Sequence, residues 1–258
     1  MENSIRIGWM YPDTLFLHGE RGNILALERF TRELGLEPAV HRIDLGTEDF
    51  DPMEYDILFF GPGEISCFPA VMEDIGGYSR SLAEYIASGK VLLATGATVS
   101  MFGERITRFD PDAENGRGEI MEGLCIIPAY AEEREYVFGD DEWVSAEFNG
   151  RTMDLIGNQI HMADIDFDEC SGYRAFGKVL YGRGNNGEDG IEGIVHNNAI
   201  FTNMLGPVLI GNPWLTTEII RTAAAIKGIE ITEEDPDFEL EVKSNILKQK
   251  FIENKKNQ

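Results

Sequence analysis

The sequence predicts an α/β protein in which helices flank a mostly parallel sheet and the second half of the chain is rich in strands. Over the first hundred residues, short apolar runs alternate with segments of helical periodicity. Glycine and proline turns close most of these segments, and from Thr107 to about Asn203 short strand-like runs replace the helical patterns. Alternating strands and helices are typical of a parallel sheet, because a crossover between parallel strands usually contains a helix.

The elements of the first half follow from periodicity and from the residues that interrupt it. Apolar residues at helical spacing predict a helix over Asn23–Leu34, which ends at Gly35. The apolar run Asp56–Phe60 predicts a buried strand that ends in a tight glycine-proline loop. Gly96 directly follows the predicted strand Val91–Thr95 and begins a turn into a short helix through about Ile106. The other predictions are strands over Ile5–Met10 and Glu37–Arg42 and helices over Phe68–Ile75 and Ser79–Ala87.

The second half predicts short strands followed by two helices. Pro213 at a first-turn position and Gly228 as a stop predict a helix over Pro213–Lys227. Apolar spacing predicts a C-terminal helix at about 237–255, and the chain shows neither an internal repeat nor a low-complexity linker, so we expect one domain over 1–258. The predicted strands are Gly123–Tyr130, Tyr136–Phe138, Trp143–Phe148, Met153–Ile156, Lys178–Tyr181 and Ala199–Met204.

Composition excludes some classes of partner and compartment. The chain of 258 residues has 46 acidic and 22 basic side chains and a net charge of −24, which disfavours binding to nucleic acid or anionic membranes. Its hydrophobic fraction of 43% excludes a wholly disordered chain. The N-terminus does not resemble a signal peptide and no apolar run approaches the ~20 residues of a membrane span, so we expect a cytoplasmic protein without membrane insertion.

The cysteines and histidines predict neither a metal site nor a cofactor. The 3 cysteines include no C-x-x-C pair, which disfavours a disulfide scaffold or a structural zinc site. The 4 histidines are scattered, and no two of them have helical ligand spacing. One reactive thiol remains possible.

The run from Gly182 to Gly187 matches the letters of a dinucleotide-binding motif but not its context. A pyrophosphate site needs a helix after the glycines. Here acidic, strand-like residues follow from Glu188 to Gly193, and their carboxylates would repel a phosphate. The run therefore predicts a structured turn or hairpin.

Five motifs occur in a fixed order between about residue 5 and about residue 250. They are Tyr11-Pro12-Asp13 with His18–Leu25, then Leu58–Glu64, Ile156–Met162, Gly182–Gly193, and Gly206–Leu209 with Asn212-Pro213. Their residues and order resemble the CobB/CobQ-like class I glutamine amidotransferases, and in particular the GatD type, the amidotransferase subunit of lipid II isoglutaminyl synthase. The resemblance implies a flavodoxin-like α/β fold, glutamine or a related small molecule as ligand, and a Mur-ligase-like or other synthetase subunit as partner.

The resemblance also implies a chemistry from which this chain departs. In the family, a cysteine thiolate attacks the glutamine amide, a histidine transfers protons and backbone N–H groups hold the oxyanion. In this chain Gly96 stands at the position of the nucleophile and Leu205 at the position of the histidine. Pro62 replaces a glycine in the loop that resembles the oxyanion loop, and proline has no N–H to donate. We therefore expect a subunit that is degenerate for glutamine hydrolysis and acts as a scaffold or regulator.

Two alternatives remain open at this point. The chain could be an active amidotransferase subunit that supplies ammonia to an ATP-dependent ligase through a non-standard nucleophile, with Cys67 as the candidate and His161 as its partner. Cys125 is predicted to lie buried in an apolar strand, and Cys170 in an acidic turn that would make its thiol unreactive. The chain could also be a stand-alone small-ligand binding module. The candidate substrate-binding residues are Gly61, Gly63, Glu64, Gln159, His161 and Asn185.

Overall fold

A computed structural model of the protein describes residues 3–168 and 172–256. Within these residues, eleven strands form one sheet. The strands are β1 (Ser4–Met10), β2 (Glu37–Ile43), β3 (Ile57–Phe60), β4 (Val91–Thr95), β5 (Arg105–Phe109), β6 (Arg117–Glu122), β7 (Ala129–Phe148), β8 (Arg151–Phe167), β9 (Tyr173–Tyr181), β10 (Ile191–His196) and β11 (Ala199–Thr202). The helices are α1 (Arg21–Glu33), α2 (Phe68–Gly76), α3 (Ser79–Ala87), α4 (Val208–Gly211), α5 (Pro213–Ile226) and α6 (Glu239–Lys256).

The sheet has a parallel half and a largely antiparallel half. Strands β2, β1, β3, β4 and β11 lie side by side in that order and run parallel. Beyond β11, strands β10, β9 and β7 continue the sheet with antiparallel pairing. Strand β8 pairs with β7 as a long hairpin, whereas β5 pairs in parallel with the first residues of β7 and antiparallel with β6.

The parallel strands separate two apolar cores. Successive residues of β4 alternate between them, because neighbouring side chains of a strand point to opposite faces. Leu92 packs with residues of α2 and α3 in one core, whereas Leu93 packs with residues of α1 and α5 in the other. Helices therefore cover both faces, as expected for a buried parallel sheet. The predicted α/β fold class with a strand-rich second half is confirmed.

The predictions for the first half agree with the structure to within a few residues, apart from the segment after β4. That segment is a 3₁₀ helix over Gly96–Phe102, and Ile106 lies in β5 instead of at the end of a helix. The helix predicted from Pro213 and the C-terminal helix are confirmed as α5 and α6. The glycine-rich run from Gly182 connects the antiparallel strands β9 and β10, so the predicted hairpin is also confirmed.

One prediction for the second half was incomplete and another was wrong. The strands predicted at Tyr136–Phe138 and Trp143–Phe148 are parts of the single strand β7, which is interrupted by a bulge between Glu133 and Phe138. The segment from Gly123 to Pro128 is a loop, and Cys125 within it is exposed and has a φ of 52° instead of lying buried in a strand. Among the described residues, no helix is both long and apolar enough to cross a membrane.

Candidate functional site

The position equivalent to a catalytic elbow lies where β4 ends. Gly96 directly follows Thr95 and has a φ of +64°, in the left-handed region that glycine adopts without strain. The loop Gly61-Pro62-Gly63 follows β3, the parallel neighbour of β4, so the two turns lie at the same edge of the sheet. This edge is where ligands bind in open α/β sheets.

Two side chains fill the space into which a side chain at position 96 would project. A Cβ atom on Gly96 would lie 2.9 Å from Cβ of Pro62 and 3.0 Å from Cδ2 of Leu205. Leu205 is only 1% exposed, so its side chain is fully packed at this position. The residues at the nucleophile position, the base position and the loop position are therefore in one packing contact.

Internal hydrogen bonds hold the loop that resembles the oxyanion loop. The hydroxyl of Thr98 donates to the Gly61 carbonyl at 2.7 Å and accepts the N–H of Gly63 at 3.2 Å. The carbonyl of Pro62 accepts the N–H of Leu17 at 3.1 Å. The N–H of Gly63 thus already donates to a group within the protein, and Pro62 has no N–H. This loop therefore presents a weaker oxyanion site than a loop with two free N–H donors.

The segment around Leu205 is anchored from two sides. Leu205 exchanges both backbone hydrogen bonds with Asn158 of β8, at 2.8 and 3.0 Å. A carboxylate oxygen of Glu20 accepts the N–H of Gly206 at 2.8 Å, and the side-chain oxygen of Asn23 accepts the N–H of Leu209 at 2.8 Å. Burial raises the pKa of Glu20 to about 7, although its bonds to Gly206 and Asn23 oppose this shift.

Glu20 and Asn23 were not predicted as site residues. Their signal was present in the first of the five motifs, where both residues occur. A motif identifies positions but not the contacts that they make, so the bracing of a segment far along the chain could be recognised only in the folded structure.

Gln159, His161 and Asn185 lie together in a buried polar cluster. The Gln159 amide donates to the Gly184 carbonyl at 3.2 Å and contacts Nε2 of His161 at 3.1 Å, while its oxygen accepts the N–H of Arg183 at 2.5 Å. The side-chain oxygen of Asn185 accepts the N–H of Gly193 at 2.6 Å. Burial lowers the pKa of His161 to about 4, so this imidazole is neutral near pH 7. These side chains brace the loop between β9 and β10.

The remaining candidates lie apart from this cluster. Glu64 is exposed, and its carboxylate accepts a hydrogen bond from Ser66 at 3.3 Å. Cys67 is half-buried and directly precedes α2. The His161 imidazole contacts Gln159 and Asp164 instead of this thiol. Cys170 lies outside the described residues. Within residues 3–168 and 172–256, no three His, Cys, Asp or Glu side chains are grouped so that they could hold a metal ion.

Comparison with known proteins identifies relatives along almost the whole chain. The chain is 26% identical over 251 residues to "Lipid II isoglutaminyl synthase (glutamine-hydrolyzing) subunit GatD" of Streptococcus pneumoniae, which covers 96% of this chain and 89% of that protein. It is 27% identical over 232 residues to the subunit of the same name from Staphylococcus aureus, covering 90% of this chain and 89% of that protein. The resemblance to GatD-type glutamine amidotransferases is confirmed. The chain matches no known protein-family model.

A solved structure supports the fold of this GatD-like chain. PurLQS from Thermotoga maritima superposes with a TM-score of 0.54 at 12% identity, covering 86% of this chain and 98% of that one. At this level of identity the likeness concerns the fold alone. Gly96 and Leu205, which the motif resemblance matches to the nucleophile and the base, lie against each other in the structure.

Proposed function

We propose that this GatD-like chain is a subunit that has lost glutamine hydrolysis and serves as a scaffold or regulator of a synthetase. The observation that carries the proposal is the contact of Gly96 with Pro62 and Leu205. A nucleophile at position 96 would need the space that these side chains fill, and a proton-transferring base would need position 205. Covalent catalysis requires both groups in hydrogen-bonding reach of one another.

The proposed partner is a Mur-ligase-like or other synthetase subunit in the cytoplasm. The names of the two bacterial relatives describe them as subunits, which supports an assembly with a second protein. The amidotransferase-like fold is complete over the described residues, and Glu20 and Asn23 brace the Leu205 segment, which supports a role that depends on the framework of the fold. A scaffold requires an intact fold, because a surface that binds a partner protein depends on the fold and not on a catalytic thiol.

The decisive experiment measures ammonia and glutamate released from glutamine by the purified full chain, alone and with a candidate Mur-ligase-type synthetase. We expect no turnover above the rate without protein in either case. Turnover that disappears in Cys67→Ala, but persists in the matched variant Cys125→Ala, would overturn the proposal and establish hydrolysis through a non-standard nucleophile. Cys125 suits the control because it is an exposed thiol in a different loop.

The same proteins test the proposed partner. We expect the chain to co-elute with the synthetase in size-exclusion chromatography and to change its amidation rate when ammonia is supplied directly. Independent elution together with an unchanged rate would contradict the scaffold role and favour the stand-alone binding module. Binding of glutamine by the isolated chain, measured by calorimetry, would then identify the ligand of that module.

A further inference from the structure

Two glutamate side chains face each other in the interior without counter-charge. Glu142 on β7 and Glu192 on β10 are both 0% exposed, and their carboxyl groups are in hydrogen-bonding contact. One oxygen of Glu192 accepts the Thr202 hydroxyl at 2.6 Å and the Asn203 N–H at 2.7 Å. Apart from this mutual contact and the approach of the Gly184 N–H to the Glu142 carboxyl, the other oxygen of Glu192 and both oxygens of Glu142 have no hydrogen-bond partner among the described residues.

The charged groups on the surrounding elements do not neutralise this pair. Arg134 and Arg183 both bind Asp164. Lys255 of α6 binds Asp140 and Asp141. The imidazole of His161 on β8 contacts Gln159 through Nε2, and its Nδ1 lies 4.0 Å from Asp164.

Two ionised carboxylates in this contact would repel each other in a region that excludes water. The unpartnered oxygens expose almost no surface to bulk solvent. A proton between the two groups removes the repulsion and provides a donor for an otherwise unpaired acceptor. Glu192 already accepts two hydrogen bonds, which stabilise a negative charge on its carboxylate. Glu142 is therefore the residue that carries the proton.

The pair connects the β7–β8 hairpin to the segment that leads to Leu205. Glu142 belongs to the hairpin. Thr202 ends β11 and Asn203 follows it, two residues before Leu205, and both donate hydrogen bonds to Glu192. We propose that Glu142 and Glu192 share one proton, and that loss of this proton to water at alkaline pH loosens the Asn203–Leu205 segment beside Gly96. The packing of the Leu205 side chain thereby depends on pH. The inference rests on these contacts and is independent of the proposed scaffold role.

Burial raises the pKa of both carboxyl groups, which agrees with a retained proton. For Glu142 the pKa is well above its usual value because of desolvation and the charge of Glu192. For Glu192 burial raises the pKa to about 7, opposed by the bonds from Thr202 and Asn203. The nearby carboxyl of Glu20 also has a pKa of about 7 and binds the N–H of Gly206, so Gly206 is left out of the measurement below.

The test is amide hydrogen exchange of Asn203, Met204 and Leu205 by NMR in the full chain, normalised to the intrinsic rate at each pH. Across a titration from about pH 6 to about pH 10 we expect protection to fall at least ~10-fold once the pair loses its proton, whose pKa burial raises above the usual glutamate range. In Glu142→Gln we expect a change below ~2-fold, because the amide donates to Glu192 at every pH. Equal losses of protection in both proteins, or constant protection in the wild type, would overturn the proposal.

A control variant and a second measurement complete the design. Glu147→Gln removes an exposed carboxylate from the same strand and should behave as the wild type. If Glu142→Gln does not fold, carboxyl ¹³C shifts of the wild type decide the question. We expect one glutamate pair to retain a proton above about pH 6, where ordinary glutamates are ionised. Full ionisation of both Glu142 and Glu192 at that pH would refute a shared proton, whatever the state of Glu20, whose pKa burial also raises to about 7.

Discussion

A single added methyl group at position 96 tests whether Pro62 and Leu205 close the elbow. Gly96→Ala introduces only a Cβ atom, which would lie 2.9 Å from Pro62 and 3.0 Å from Leu205 in the present packing. Real Cβ atoms essentially never lie closer than 3.0 Å to another heavy atom, so Pro62 must shift, and the contact with Leu205 is also unusually tight. Because Pro62 and Leu205 are themselves buried, neither can move freely toward solvent.

The expected loss of stability has two parts. A non-glycine residue in the left-handed region costs about 1–2 kcal/mol. Overpacking a buried site by one methyl group costs about 1–3 kcal/mol. We therefore expect Gly96→Ala to lower the free energy of unfolding by about 2–5 kcal/mol. Leu205→Ala should itself cost about 3–5 kcal/mol, because it leaves a cavity at a fully buried leucine.

The combination of the two changes separates packing from backbone strain. In Gly96→Ala/Leu205→Ala the new methyl group enters space vacated by the leucine, so we expect the double variant to be about 1–2 kcal/mol more stable than additivity predicts. Urea unfolding monitored by circular dichroism measures all the variants. Gly76→Ala is the matched control, because a Cβ at this helical glycine meets no atom within 4 Å, and it should stabilise by about 0.5–1 kcal/mol. Strict additivity, or a loss below about 0.5 kcal/mol for Gly96→Ala, would refute the reasoning.

Two further predictions concern the hydrogen bond of the loop and the dependence of stability on pH. Thr98→Ala leaves the buried Gly63 N–H without its acceptor, so it should lower the free energy of unfolding by about 1–3 kcal/mol. Thr98→Ser keeps the hydroxyl and should retain most of the wild-type stability. Equal stability of Thr98→Ala and the wild type in urea would contradict the role of this hydroxyl. Burial raises the pKa of Glu20 to about 7 and favours one proton on the Glu142–Glu192 pair, so the folded chain binds these protons more tightly than the unfolded chain and stability should fall as pH rises through 7. Urea unfolding at pH values from about 6.5 to about 8.5 measures this change in the free energy of unfolding. The range begins at about pH 6.5 because His161, with its pKa lowered to about 4, makes stability rise with pH below that value. A flat profile would show that these carboxyl groups do not retain their protons.

The first half of the fold could be predicted because its elements carry strong and simple patterns. Strand β4 is buried on both faces and is therefore a continuous apolar run, and α1 has one apolar face ended by Gly35. Strands β7 and β8 are harder to recognise, because acidic residues and the bulge after Glu133 interrupt their alternation. A pattern divided in this way resembles several short strands.

The loop that contains Cys125 shows why an apolar run can mislead. Residues Leu124–Ile127 resemble a buried strand by composition. Their N–H groups instead donate to carbonyls of Met101, Phe102 and Gly103, so the run folds back on the 3₁₀ segment after Gly96 instead of joining the sheet. Hydrogen-bond partners that lie elsewhere in the chain leave no periodic trace in the sequence.

The candidate site required both kinds of evidence. Motif resemblance identifies Gly96, Pro62 and Leu205 as three separate departures from an amidotransferase. The folded chain makes them one unit, because each of the two side chains contacts the space above Gly96. A cysteine placed at position 96 alone would therefore meet Pro62 and Leu205, and a histidine at position 205 alone would have no nucleophile to activate. If hydrolysis is lost as proposed, its restoration would thus require coordinated change at all three positions, because the packing and not the absence of one thiol closes the site.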